Sequence, residues 1–352
     1  MKFDRNNILK HIKNLTHLSS DELLKYDKLL DNKRLGDNTI FLTLGGSWAY
    51  GTNVDGSDVD LRGCVLNSKE EILTNKNFEQ LEDRETDTVI YAFNKFVRLL
   101  SDCNPNIIEL LGNKPEFYVY ISPIGEELLK NKRMFLSQKA IYTFDGYANA
   151  QLQRLNNKAV RNQNALDREK YILNVINHAK DSFSERYFRF PDDSISLYLD
   201  DAIQEEFDKE IFMDINLTHY PLRDYKNMWS EMKEIVKQYG KIGQRNRYAA
   251  THDRLGKHMM HLLRLYMMLL DILEKEEIIT YRANEHNLLM AIRNGDFLND
   301  KDKPTEDFFD LIHEYEKKVE YAKKNTNLPA KPNYKEIQEF LMSVNEQVVL
   351  NN

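Results

Sequence analysis

The hydrophobic pattern changes its period near residue 39, and this change predicts how the chain is organised. Before that point, apolar residues recur at helical spacing in two segments, and Ser20 is the expected N-cap of the second. Residues 39–44 are β-branched or apolar throughout and end at Gly45 and Gly46. Such a run is typical of a buried strand that leads into a tight turn.

Two further strands are predicted downstream, over residues 58–66 and 86–91, and a helix follows the second of them. From about residue 134 the pattern is almost entirely helical. The expected helices there cover 136–156, 167–188, 223–239, 250–276, 305–324 and 334–348. We therefore expect an α+β protein with a small mixed β-sheet domain and its helices in residues 1–125. A mostly α-helical domain that closes the active-site cleft is expected in residues 126–352.

Composition narrows the class of protein without naming a function. The chain has 352 residues, 41% of them hydrophobic and 30% charged, with a net charge of −7. This fits a globular protein and disfavours one that coats long stretches of duplex nucleic acid. We expect no membrane span and no signal peptide. Cys64 and Cys103 are expected as reduced, buried thiols of a cytoplasmic protein.

The turn after the first strand is a candidate phosphate site. Gly45 and Gly46 would let backbone N–H groups approach an anion closely, and Ser47 adds a hydroxyl donor. A Gly-Gly-Ser sequence after a strand is more often an ordinary turn, so this feature is weak when taken alone.

Asp58 and Asp60 form a candidate metal site. If Val59 and Leu61 point into the core, the two carboxylates share the opposite face, because strand side chains alternate. Carboxylate pairs with substrate phosphates suit Mg²⁺. An isolated Asp-x-Asp is usually a pair of surface acids, but its position about ten residues after the Gly-Gly-Ser turn is far more specific.

This combination resembles the catalytic signature of the DNA polymerase β-like nucleotidyltransferase superfamily, and in particular its YcgL/RlaP branch. The resemblance rests on residues 46–52 and 57–63, and it extends over about residues 40–300. Further matching segments are 87–91, 104–106, 109–111, 146–148 with Gln151, 256–258 with His261 and Arg264, and 292–295.

The resemblance implies a two-metal nucleotidyl transfer from an NTP, such as ATP, to an acceptor hydroxyl. Asp58, Asp60 and a third carboxylate would hold two Mg²⁺ ions, with Mn²⁺ as a substitute. We expect Asp87 to be the third carboxylate, and Glu85 is the alternative because it shares the predicted face.

A polar stripe on the predicted helix 250–276 is the remaining candidate. Lys257, His261 and Arg264 recur at helical spacing on an otherwise apolar helix, so they require hydrogen-bond acceptors. The NTP phosphates would serve, and a structural salt-bridge cluster is the alternative.

The acceptor does not follow from these motifs. The resemblance points to an RNA end, as in RNA repair. Nucleotidylation of a protein partner such as a toxin is the catalytic alternative. A non-catalytic nucleotide-binding interaction protein is the alternative of another class, since a fold alone does not establish activity. Oligomeric state and base preference stay open.

Overall fold

The computed structural model describes residues 2–74, 76, 78–161, 173, 194–201, 209–230, 233, 253–299 and 303–351. The chain forms two compact units. The first consists of Met1–Gln151, Met259–Asn294 and Asp307–Asn352, and the second of Leu152–His258 and Gly295–Glu306. The expected α+β class, with a mixed sheet in the N-terminal half and helices after it, is confirmed. The division at residues 125 and 126 stays a prediction.

Two helices open the first unit, as predicted. Helix α1 covers Arg5–Thr16 and α2 covers Ser20–Leu30. The N-cap of α2 is Ser19 rather than Ser20, because the Ser19 side chain accepts from the Glu22 backbone while the Glu22 carboxylate accepts from the Ser19 backbone. This reciprocal capping box satisfies two backbone donors at the start of the helix.

A five-stranded sheet follows, with the order β3-β4-β2-β1-β5. Neighbouring strands are antiparallel except β2 and β4, which are parallel. The strands are β1 Thr39–Leu44, β2 Leu61–Val65, β3 Gln80–Asp83, β4 Thr88–Ala92 and β5 Tyr118–Ile121.

Strand β1 has the predicted bounds, but the other two predicted strands begin later. The strand predicted over 58–66 begins at Leu61, and the one predicted over 86–91 begins at Thr88. Strand β3 was not predicted, and it forms a hairpin with β4 through the turn at residues 84–87. Asp83 stabilises this turn by accepting hydrogen bonds from the backbone and hydroxyl of Thr86.

Further helices complete the described part of the chain. They are α3 Gly46–Tyr50, α4 Lys69–Thr74, α5 Phe93–Ser101, α6 Pro105–Ile108, α7 Pro123–Lys130, α8 Lys139–Arg161, α9 Asp253–Leu270, α10 His286–Asn294, α11 Glu306–Asn325 and α12 Tyr334–Asn351. Residues 222–230 are helical, and a π-helical turn at Asp271–Lys275 extends α9. Most of the helix predicted over 167–188 lies outside the described residues.

The sheet of the first unit is covered on two sides. Ile8 and Ile12 of α1 pack in one core with Leu42, Leu61 and other buried residues of the sheet. Elsewhere, Phe41 of β1 contacts Phe96 of α5 with ring centroids 5.4 Å apart. Burial of this apolar surface is the main favourable contribution to folding, and it fixes the strand ends that carry the candidate site.

The second unit contains a hairpin where the sequence pattern predicted only helices. Strands β6 Ile195–Asp201 and β7 Lys209–Ile215 pair antiparallel, with Ile195 opposite Ile215. Ile195 and Met228 are buried in a small core of this unit. The period-two alternation of Ile195 and Leu197 was the signal for a strand.

Two smaller predictions concern buried thiols and membrane spans. Cys64 and Cys103 are free and buried, as expected. Among the described residues, no helix combines the length and the apolar composition that crossing a membrane requires.

Candidate active site

The Gly-Gly-Ser turn packs directly against Asp60. After β1, the Gly45 backbone N–H donates to the Asp60 carbonyl over 2.8 Å. Gly46 adopts a positive φ of 53°, and a Cβ at this position would overlap Asp60 Oδ2. Glycine is therefore required at position 46 both by its backbone conformation and by the close approach of this carboxylate.

Asp58 and Asp60 lie on the face that the sequence predicted. They precede β2 rather than belonging to it, but the extended segment keeps the alternation: Val59 is 3% exposed and Leu61 is fully buried. Tyr26 of α2 donates to the Val59 carbonyl over 2.6 Å. This bond anchors the segment to the N-terminal helices, while the two carboxylates face away from that core.

Asp87 lies beside Asp60. Both residues immediately precede parallel neighbouring strands, β4 and β2, so they come to the same edge of the sheet. Their carboxyl groups are within hydrogen-bonding reach of each other. Glu85, the alternative third carboxylate, is exposed in the turn at residues 84–87. The structure therefore brings Asp87 to Asp60, and its catalytic role stays a prediction.

Arg62 is a member of this site that the sequence analysis missed. One of its guanidinium nitrogens lies 3.9 Å from Asp60 Oδ1 and 3.6 Å from Asp87 Oδ1. Another donates to the Asp87 carbonyl oxygen. The signal was present, because alternation from Asp58 and Asp60 places Arg62 next on the same face.

The electrostatics of Asp60 are those of a crowded carboxylate. Burial raises the pKa of Asp60 to about 7, and the Arg62 guanidinium opposes this effect. The hydrogen bond and charge of Asp87 and the charge of Asp58 raise the pKa further. Close carboxylates disfavour ionisation of one another unless a cation neutralises them. Asp58, Asp60 and Asp87 are called the carboxylate cluster below.

The carboxylate cluster fits Mg²⁺ chemistry only if the substrate completes the site. Among the described residues, no three His, Cys, Asp or Glu side chains converge closely enough to hold a metal ion. Mg²⁺, however, is usually bound by one or two carboxylates together with substrate phosphates. Asp60 and Asp87 supply such a pair of oxygen donors next to the Gly-Gly-Ser turn.

The other end of α3 lies against a buried arginine. Arg264 is 7% exposed, and its guanidinium carbon lies 3.1 Å from the centroid of the Tyr50 ring. Tyr50 donates its hydroxyl hydrogen bond to the carboxylate of Glu109. Arg264 also lies 3.3 Å from His261 Nδ1. The phosphate-binding role predicted for Arg264 and His261 stays a prediction.

Two further arginines hold the end of α3 and the residues that follow it. The buried Arg293 donates to the Thr52 carbonyl. The Arg282 backbone donates to the Tyr50 carbonyl over 3.3 Å, and its side chain forms a buried ion pair of 2.5 Å with Asp271. Arg264, Arg282 and Arg293 are called the arginine cluster below.

Lys257 and Glu109 complete the account of the candidate residues. Lys257 is exposed and belongs to the second unit, so its predicted phosphate contact stays a prediction.

The pKa of Glu109 is raised by burial and lowered by the Arg264 charge and the Tyr50 hydrogen bond. Sequence reasoning missed the role of Glu109, since its partners lie far away along the chain.

Comparison with known families gives the class of this site. Residues 9–176 match the model of RlaP, the RNA repair pathway DNA polymerase beta family. This part of the chain, which contains the Gly-Gly-Ser turn and the carboxylate cluster, belongs to the polymerase β-like nucleotidyltransferases. Within that class, the matched residues are similar to the RlaP family. No curated protein and no solved structure matches the chain.

Proposed function

We propose that this protein transfers a nucleoside monophosphate from an NTP to the hydroxyl group of an RNA end, with release of pyrophosphate. The observation that carries the proposal is that Asp60 and Asp87 lie against the same Arg62 guanidinium nitrogen, at 3.9 and 3.6 Å, beside Gly46 and within the residues that match the family. The RNA acceptor is supported by the RNA repair pathway in the family's description.

The roles of the residues follow from the chemistry of the transfer. The attacking hydroxyl forms a bond to the α-phosphorus while the bond to the pyrophosphate oxygen breaks. Asp87 would accept the proton of that hydroxyl, and Gly46 and Ser47 would hold the departing phosphates. Gly45 would position this turn through its hydrogen bond to the Asp60 carbonyl. Two Mg²⁺ ions held by the carboxylate cluster, or Mn²⁺ in their place, would polarise the hydroxyl and neutralise the leaving group.

Two further assignments belong to this proposal. We place the reaction in the cytoplasm, in agreement with the free buried thiols of Cys64 and Cys103. We assign Lys257 to the triphosphate, as the sequence predicted. Arg264 and His261 would act on the site through α3, because Arg264 lies against Tyr50 and His261 lies beside Arg264.

The test is a transfer assay that leaves the acceptor open. Each NTP, labelled at the α-phosphate, is incubated with the protein, Mg²⁺ or Mn²⁺, total RNA and total protein. We expect label that survives protease and is lost with ribonuclease, and we expect none with Asp58→Ala. Asp310→Ala, an exposed aspartate of α11, is the matched control and should behave like the parent.

Three outcomes would contradict the proposal. Label that is lost with protease would assign a protein acceptor. Equal transfer by the parent and Asp58→Ala would remove the carboxylate cluster from the chemistry. NTP binding without transfer to any acceptor would favour a non-catalytic nucleotide-binding protein.

A further inference from the structure

A cavity of about 740 Å³ opens beside the carboxylate cluster within the first unit. Its walls are the junction of α1 and α2, the segment at residues 53–59 and the hairpin turn at residues 84–87. Asp58 and Asp87 line it. Gly45, Gly46, Ser47 and Asp60 are not among the described residues that line it.

This lining separates the cavity from the expected position of the NTP phosphates. The proposed phosphate turn and the carboxylate nearest to it, Asp60, do not line the cavity. Asp87, the residue assigned to the acceptor hydroxyl, does line it. The cavity therefore lies on the acceptor side of the carboxylate cluster.

The cavity has an uncharged floor. Thr16, Tyr26, Val59 and Thr86 are buried there, and Trp48 is partly buried. Aromatic side chains stack on the faces of unpaired bases, and such stacking tolerates any base. The volume lies within the range of cavities that hold small molecules and cofactors, so a single nucleoside fits in size and in chemistry.

The charged residues of the cavity are exposed and lie at its rim. His17, Lys25 and Arg84 are basic, whereas Glu22, Asp55 and Glu85 are acidic. With Asp58 and Asp87, acidic groups outnumber basic ones, which disfavours a polyphosphate inside the cavity. Lys25 and Arg84 can instead contact a phosphate that stays at the rim.

We propose that this cavity binds the terminal nucleoside of the acceptor RNA. Its base lies against Trp48, its ribose hydroxyl faces Asp58 and Asp87, and the preceding phosphate lies at the rim beside Lys25 and Arg84. This inference rests on the proposed function and assigns the N-terminal helices α1 and α2 to acceptor recognition.

The first test fills the cavity without altering a carboxylate. Leu18→Trp adds volume at the junction of α1 and α2, and Leu24→Trp is the matched control, since Leu24 is 57% exposed and does not line the cavity. We expect Leu18→Trp to raise KM for RNA at least about tenfold and to leave KM for the NTP unchanged. Lys25→Glu, an exposed change that disturbs no core, should act in the same direction.

The second measurement does not depend on catalysis. Fluorescence anisotropy of a short RNA labelled at its 5′ end, without NTP, should show binding to the parent and to Leu24→Trp. Binding should weaken about tenfold in Leu18→Trp and in Lys25→Glu. The same RNA bound in this pattern without any transfer by the parent would refute the proposed function and keep the acceptor cavity.

Other outcomes overturn the cavity assignment. An unchanged KM for RNA in both Leu18→Trp and Lys25→Glu, with transfer intact, would show that the acceptor binds elsewhere. A rise confined to KM for the NTP would assign the cavity to the NTP. If Leu18→Trp does not fold, as judged by its thermal unfolding, Lys25→Glu decides by the same criteria.

Discussion

The two ends of helix α3 lie in opposite electrostatic surroundings. Gly46, at its start, contacts a crowded carboxylate whose pKa burial raises to about 7. Tyr50, at its end, lies under the Arg264 guanidinium and donates to Glu109. Helix α3 has only five residues. Since a helix rises about 1.5 Å per residue, the two environments lie a short distance apart.

The difference indicates that the two regions have different roles, one in chemistry and one in holding α3 in place. The carboxylate cluster gathers like charges at a solvent-accessible edge, which costs stability but suits metal ions and phosphates. The arginine cluster is buried: Arg293 donates to the Thr52 carbonyl, and Arg282 pairs with the Asp271 carboxylate. We infer that the arginine cluster holds α3 in place, so that Gly46 stays against Asp60.

The largest effect is expected for Arg282→Met. It removes the buried partner of Asp271 and leaves Lys275 as the remaining cation on that carboxylate, while the Arg282 and Asp271 side chains are both under 10% exposed. Breaking one side of a buried pair typically costs about 3–5 kcal/mol, which chemical denaturation would measure. Lys275→Met is the matched control: Lys275 contacts the same carboxylate from an exposed position and should cost under about 1 kcal/mol. Equal losses of unfolding free energy in the two variants would show that burial does not determine how much each ion pair contributes to stability.

A smaller effect, on activity rather than stability, is expected for Gly46→Ala. The added Cβ would overlap Asp60 Oδ2 and displace the carboxylate. Misplacement by about 1 Å can cost about a hundredfold in rate, and transfer kinetics would measure it. Gly36→Ala also places an alanine at a positive φ, of 100°, but its Cβ meets nothing within 4 Å, so it tests backbone strain without the overlap. If both variants keep the parental transfer rate, the inference that Gly46 positions the Asp60 carboxylate is wrong.

The smallest effect is a pH dependence of stability that comes from Glu109. Because its pKa is raised in the folded protein, the folded state keeps a proton that the unfolded chain releases near pH 4. Stability from this group is therefore present at low pH and is lost as pH rises through the raised pKa. The unfolding free energy of the parent, relative to Glu109→Gln, should fall by at most about 1.4 kcal/mol per pH unit. A difference between the parent and Glu109→Gln that stays constant with pH would contradict this prediction.

Local patterns predicted the elements that carry the carboxylate cluster. The buried run at Thr39–Leu44 and the alternation around Val59 depend on neighbouring residues alone, and both are present. Strand starts were placed too early at residues 58 and 86, because the extended segment before β2 and the turn before β4 continue the alternation of buried residues without strand pairing. The hairpin β6–β7 was missed, although its alternation was visible, because helical periodicity surrounds it.

Long-range partners could not be predicted from such patterns. Glu109 meets Tyr50 across 59 positions, and Arg293 meets Thr52 across 241 positions. The positions of Glu109 and Arg293 along the chain do not indicate which residues they contact. Spacing did identify the stripe that contains His261 and Arg264, but whether it faces phosphates or a buried tyrosine depends on tertiary packing.

The most direct test of the account is Asp60→Asn, measured for Mg²⁺-dependent nucleotidyl transfer and for thermal unfolding on the same preparation. Loss of metal coordination is worth several kcal/mol, so we expect the transfer rate to fall about a thousandfold. The unfolding midpoint should stay the same or rise, because the amide removes a charge repelled by Asp58 and Asp87. Transfer at the parental rate, or a loss of activity that merely follows a loss of stability, would contradict the account.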